Sequence, residues 1–244
     1  MRYLNYTSAI LTGLLSVSTT LSAQNVRPIY DARLDLKPTS SSTEEVNWLK
    51  NQVLPNARRH WQEQDHCEEG FSIMDVATGA FTQAKATQKA YLYQYCEIRR
   101  GVSNNGIAIV ENKHVVADVM YEGSWNSALG ALPDINHNGL SEILITDNFT
   151  GQGYSHGGIS LVELASNRIK KLGYIQVSES NCGAVEQGGM MTAYKLYVTP
   201  ATTPIFYRET FKQSCDTNDQ WQKVGKRERV SLDKDETEYF LETE

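Results

Sequence analysis

From residue 71 to residue 230 the chain is cut into strand-length runs rich in β-branched and aromatic residues, each bounded by turn residues. The runs cover 71–76, 89–98, 106–110, 114–121, 143–146, 159–163, 169–177, 191–198, 205–211 and 221–230. Signals such as Asn104-Asn105-Gly106 and Glu111-Asn112-Lys113 separate them at regular intervals, the pattern of strands that pair with their neighbours through short turns. About ten strands and one helical region follow from this pattern, so the expected fold is mainly β, with antiparallel sheets and an N-terminal α-helix.

The helix is announced by Ser42-Thr43-Glu44-Glu45, a capping box, after which Val46, Leu49, Val53, Ala57 and Trp61 recur at helical spacing. Pro55 removes a backbone donor and predicts a kink or a restart. Residues 24–41 are polar and interrupted by Pro28 and Pro38, which predicts an extended arm. Residues 233–244 are dense in acids and read as a frayed acidic tail, with an edge strand through Glu238-Tyr239-Phe240-Leu241 as the alternative. Residues 42–232 then form a single β-rich domain that includes the helix.

Residues 1–23 have the grammar of a secretory signal: Arg2, an apolar run from Ile10 to Leu15, and small residues at Ser22-Ala23. The apolar run is shorter than the about 20 residues a membrane span needs. All four cysteines, Cys67, Cys96, Cys182 and Cys215, follow it, and an even number fits an oxidising compartment. Three pairings are possible, and four free thiols are the alternative. Each of Cys67/Cys96 and Cys182/Cys215 brackets a predicted hairpin, which favours those two bridges. The expected location is therefore secreted or periplasmic, without a membrane span. A formal charge of −6, one unit more negative without Arg2, disfavours nucleic acid as a partner.

One loop carries recognisable chemistry. In Asp134-Ile135-Asn136-His137-Asn138-Gly139-Leu140-Ser141-Glu142, oxygen side chains fall at the first, third, fifth and ninth places, with glycine at the sixth. Alternate residues point inward, and the glycine permits the turn that brings Glu142 back, which suits a hard cation such as Ca²⁺. An EF-hand would close with a glutamate at the twelfth place, where this chain has Ile145, and the next residues form a strand rather than a helix. His137 falls at an outward-facing place. Asp, Asn and Gly also build metal-free turns, which is the alternative reading.

From Leu132 to Leu164 the chain resembles the FG-GAP repeat, the calcium-binding blade unit of integrin-α-like β-propellers. The family follows its Asp-x-Asn-x-Asp-Gly-x-x-Asp loop with a strand, a glycine-rich turn and a second strand. Here Glu142-Ile143-Leu144-Ile145-Thr146-Asp147-Asn148 stands for the first strand and Gly157-Gly158-Ile159-Ser160-Leu161-Val162 for the second. The resemblance implies calcium ligands at Asp134, Asn136, Asn138 and Glu142, with the Leu140 carbonyl as the backbone ligand. It covers one copy, and a full propeller at about 40 to 50 residues per blade would need far more chain. Propeller-blade-like sheets or a sandwich are the architectures to expect.

Two functional classes remain. One is an exported, calcium-binding β-domain protein with a non-enzymatic binding or structural role toward a protein or envelope component. The other is an exported hydrolase, because Gly153-Tyr154-Ser155-His156-Gly157 matches the Gly-x-Ser-x-Gly elbow with Ser155 as nucleophile. That elbow needs a helix after it, whereas Ile159-Ser160-Leu161-Val162 alternates like a strand.

Overall fold

The computed structural model describes residues 26–34, 39–61, 67, 70–165, 168–217 and 220–242. The signal-like residues 1–23 lie outside them. The elements run β1 (Arg27–Asp31), α1 (Thr43–Trp61), β2 (Ser72–Gly79), β3 (Gln88–Arg99), β4 (Val102–Glu111), β5 (His114–Ser124) and β6 (Leu129–Leu132). They continue with β7 (Glu142–Gly151), β8 (Tyr154–Ala165), β9 (Arg168–Ser180), β10 (Met190–Thr199), β11 (Ile205–Ser214), β12 (Gln222–Val230) and β13 (Phe240–Glu242).

Short connections make consecutive strands antiparallel neighbours. One sheet has the order β13-β5-β4-β3-β2, and the other has β12-β11-β10-β9-β8-β7-β6 with β1 against β10. Neither closes, so the fold is a sandwich-like pair of open sheets. Between them lies a core built from Leu92, Ile107, Ile109 and Val119 on one side and Ile143, Ile145, Val162 and Leu164 on the other. The outer face of the smaller sheet carries α1, whose Leu49, Val53 and Ala57 pack on Tyr91, Tyr93, Ala108 and Met120.

A third core fills the opposite face of the larger sheet with Leu144, Ile159, Leu161, Ile175, Leu196 and Val198. Strand β9 pairs with β10 only at Met191–Ala193, after which β1 takes over the same edge of β10. The sheet curls there, and the β10–β11 turn reaches the β6–β7 loop, where the Ala201 N–H donates to the Ile135 carbonyl at 3.0 Å. Ile135, fully buried, plugs this third core.

The capping box forms as read: Ser42 Oγ accepts the Glu45 N–H at 3.2 Å. A hydrogen bond from Tyr91 lowers the Glu45 carboxyl, with Lys89 and the Ser42 backbone adding to it. The helix runs through Pro55 without restarting. Both bridges are present, Cys67–Cys96 across the β2–β3 hairpin and Cys182–Cys215 across the β10–β11 hairpin.

One expectation is corrected and two are made specific. Asn104-Asn105-Gly106 is not a turn but the buried interior of β4. Gly106 is needed because a Cβ would lie 2.1 Å from the Tyr93 ring, and Asn105 is satisfied by Ser103 Oγ and the Ser124 carbonyl. The arm of residues 24–41 contributes β1 to the larger sheet, despite Pro28. The acidic stretch is a strap, and of the two readings the edge strand forms in place of a frayed tail: Asp233 pairs with Tyr174 on β9, the Lys171 ammonium donates to the Thr237 carbonyl at 2.7 Å, and β13 joins β5 at the sheet edge. Tyr239 anchors the strap against the inter-sheet core. Residues 27–31 and 240–242 thus pair with β10 and β5.

Asp118, on the face of β5 that meets α1, is 1% exposed and accepts the Tyr93 hydroxyl at 2.8 Å. Burial pushes its carboxyl up to about 7, against hydrogen bonds from Tyr93 and Asn56. A folded pKa above the unfolded one means that the native state holds the extra proton. This group's contribution is therefore fully present below about pH 4 and is lost as pH rises toward 7. Asp118→Asn is expected to remove that slope and to raise stability at pH 8 by on the order of 2 kcal/mol, measured by urea unfolding between pH 5 and 8.

Candidate metal centre

The loop between β6 and β7 is shaped by its own side chains. Asp134 accepts the Asn138 N–H on one carboxylate oxygen at 3.1 Å and the Gly139 N–H on the other at 2.8 Å. Asn136 Oδ1 accepts the Asn138 N–H at 3.2 Å, and Asn138 Oδ1 accepts the Leu140 N–H at 2.9 Å. Left-handed backbone at His137 (φ 64°) and Gly139 (φ 89°) turns the chain, and the His137 side chain is exposed, as its place in the pattern predicts. At Gly139 a Cβ would also meet Ala84 at 2.9 Å.

Glu142, the first residue of β7, has no exposed surface. Its Oε2 accepts the Ile135 N–H at 3.1 Å, while its Oε1 has no hydrogen-bond partner among the described residues. Burial pushes its carboxyl up to about 7. Hydrogen bonds from backbone N–H groups counter that rise, and the charges of Glu163 and Asp134 add to it.

Glu163 on β8 is the participant that the sequence reading missed. It is 4% exposed, and its Oε2 accepts the side-chain amides of Asn136 at 2.5 Å and Asn138 at 2.6 Å. Lys170, its cross-strand partner on β9, stands 3.8 Å away and is half exposed. The signal lay in the hairpin register. Gln152 and Gly153 form a two-residue turn with both residues left-handed, which places Ile143 opposite Val162 and Glu163 one step further, beside Glu142.

The donor set is all oxygen, the type a hard cation prefers. A carboxylate or amide oxygen has two lone pairs, so one accepted N–H leaves a pair for an ion at Asp134, Asn136 and Asn138. Among the described residues no three His, Cys, Asp or Glu side chains stand close enough together to hold a metal ion by themselves.

In the β7–β8 hairpin both strands of the motif are formed, Glu142–Gly151 and Tyr154–Ala165. The turn lies at Gln152–Gly153, and Gly157 and Gly158 are inside β8, where a Cβ on Gly158 would lie 1.8 Å from the Tyr174 hydroxyl. Ser155 also lies in β8, opposite Ser180, and accepts the Thr150 hydroxyl at 3.2 Å. The strand–turn–helix setting of a nucleophile elbow is not formed there.

A disulfide-stapled, antiparallel β protein with a short oxygen-rich loop is thus the class that fold and site define. No protein-family model, curated protein or solved structure matches the chain.

Without metal, Glu142 ionises at a cost as pH rises through about 7. Glu142→Gln is therefore expected to melt no lower than the parent at pH 8 in chelator, and to gain on the order of 2 kcal/mol if the amide reaches Glu163. Calorimetry in chelator at pH 5 and pH 8 checks this, with the difference between variant and parent vanishing at the lower pH.

Proposed function

We propose that this is an exported β-sandwich protein that holds one Ca²⁺ in the β6–β7 loop and serves a non-enzymatic, binding or structural role toward a protein or envelope component. The observation that carries the reading is the fully buried Glu142, with one carboxylate oxygen that has no partner among the described residues and with the charges of Glu163 and Asp134 acting on it. A buried carboxylate with an unsatisfied oxygen is costly unless a proton or a cation meets it. A cation at that point would draw on Asp134, Asn136, Asn138 and Glu142, with the Leu140 carbonyl as backbone ligand. The resemblance of residues 132–164 to the FG-GAP repeat supports the same set. The two disulfides fit an oxidising environment, and the signal-like residues 1–23 support a secreted or periplasmic location. Among the described residues no helix is long and apolar enough to cross a membrane.

Calcium suits the loop better than Mg²⁺, which demands a tight octahedral shell. Because much of the donor set is neutral amide and Lys170 partly compensates Glu163, the affinity belongs in the weak range of extracellular modules, about 10⁻⁴ to 10⁻³ M. An ion that binds only the folded loop stabilises it by mass action, about 2.7 kcal/mol at a hundredfold excess over the dissociation constant. The expected result is a higher melting temperature in Ca²⁺ than in chelator for the parent protein, and no difference for Asp134→Ala with Glu142→Ala. Equal melting of the parent in both buffers would leave the loop a metal-free turn.

A further inference from the structure

Leu196, Val198 and Phe206 turn to the third core, so Lys195 and Tyr197 on β10 and Glu209 on β11 lie on the opposite face of the larger sheet. Charged side chains cover that face. Glu209, 8% exposed, is their centre: its Oε1 accepts Lys223 at 2.8 Å and Arg227 at 3.2 Å, both from β12, and its Oε2 accepts the Tyr197 hydroxyl at 2.7 Å. The Arg227 guanidinium lies 3.7 Å from the centre of the Tyr197 ring, and the Lys195 ammonium stands 5.7 Å from the same point. Lys195 also meets Asp31 of β1 at 3.6 Å. Asp31 in turn holds Arg33, whose guanidinium lies over the Phe211 ring of β11, 3.6 Å from its centre. Direct contacts therefore run without a break from Lys223 to Arg33.

In this network four cations, Arg33, Lys195, Lys223 and Arg227, surround two acids, Asp31 and Glu209. The chain as a whole has the opposite balance, with 29 acids against 23 Lys and Arg. A cover built only to shield the sheet needs cations and acids in equal number, so the positive surplus is left for a group from outside. Nor are the cations loose. Stacking on the rings and pairing with the acids hold both guanidinium groups in place. Each uses Nε and one terminal nitrogen on its acid, which leaves donors on its other edge.

We propose that this face binds a linear acidic polysaccharide, its uronate carboxylates meeting the free edges of Arg33 and Arg227 and the ammonium groups of Lys195 and Lys223. An anion gains most from cations that are already fixed, because nothing has to be ordered when it arrives. A uronate carboxylate is fixed in the same sense, attached directly to a stiff sugar ring, whereas the acids of a peptide hang on flexible stems that binding must freeze. The Tyr197 and Phe211 rings each lie under a guanidinium, so a nucleobase or a neutral sugar finds them covered. Strands β1, β10, β11 and β12 lie side by side, so the cations spread over roughly 15 Å of sheet, the length of a few sugar residues.

The cleft beside α1 lacks such a surplus, since Glu44 and Glu45 line it together with Lys89 and Lys113. None of the residues on the basic face belongs to the β6–β7 loop. The inference gives the binding role proposed above a partner chemistry, and it stands or falls apart from the calcium reading.

The test titrates the full chain, in chelator and at low salt, with oligogalacturonate and oligoguluronate, read by calorimetry and by amide NMR shifts. At least one oligouronate is expected to bind, with an affinity that falls steeply as salt is added and with shifts concentrated in β10–β12 and residues 27–33. Lys223→Gln should weaken binding severalfold, and Lys223→Gln with Arg227→Gln tenfold or more. Arg99→Gln, which removes an exposed cation elsewhere, should leave it unchanged. Melting temperatures check that the variants are folded, and the parent's shift map does not depend on them. The proposal is overturned if neither oligouronate binds, if the shifts fall outside those strands, or if the folded double variant binds as the parent does. Tighter binding of oligoglutamate of equal charge, or of phosphatidylglycerol vesicles, also overturns it.

Discussion

A carboxylate with no exposed surface, Glu142, sits where the β6–β7 loop, the first residue of β7 and the third core meet. Water is excluded there because Ile135 must be buried to fill the curl of the larger sheet, and the same N–H that holds Glu142 belongs to Ile135. Apolar packing of one residue thus forces the desolvation of another. Asp134, Asn136 and Asn138 wind the loop around that point, and Glu163 approaches it from the neighbouring strand. The result is a buried carboxylate whose second oxygen has no partner among the described residues, next to a loop rich in oxygen side chains. A proton can relieve it, and so can a cation.

The rest of the sandwich keeps this point in place through a few long-range polar links. Asp75, at a bulge in β2, accepts the N–H groups of Thr39 and Val76 on one oxygen and that of Leu129 on the other. It therefore joins the N-terminal arm, the smaller sheet and β6, the strand that leads into the loop. Ser141 reaches the same sheet, donating its N–H to the Ala80 carbonyl at 2.8 Å and accepting the Ala80 N–H on its hydroxyl. The C-terminal strap crosses from β9 to β5 and closes the other side. At the far ends of β5 and β7 the Asn148 N–H donates to Ser124 Oγ at 3.3 Å.

What could be read in the sequence was local. The capping box, the helical spacing of Leu49, Val53 and Ala57, the hairpin-bracketing cysteines and the oxygen spacing of residues 134–142 each depend on residues close together in the chain. What could not be read depended on register or on a distant neighbour. Asn104-Asn105-Gly106 has turn chemistry, but the Tyr93 ring and the Ser124 carbonyl, both from other strands, make it strand interior. The acidic stretch after Asp233 has the composition of a tail, yet Lys171, Tyr174 and the inter-sheet core receive it. Glu163 has nothing in its own surroundings to distinguish it, and only the two-residue turn at Gln152–Gly153 places it beside Glu142.

The central claim is that a cation meets the orphaned oxygen of Glu142. Crystals grown in millimolar Ca²⁺ and measured near the long-wavelength limit, where calcium scatters anomalously, test it most directly. The account predicts one anomalous peak inside the β6–β7 loop, about 2.3–2.6 Å from oxygens of Asp134, Asn136, Asn138 and Glu142 and from the Leu140 carbonyl. A structure without that peak, in which a water or a proton satisfies Glu142 Oε1, would contradict it.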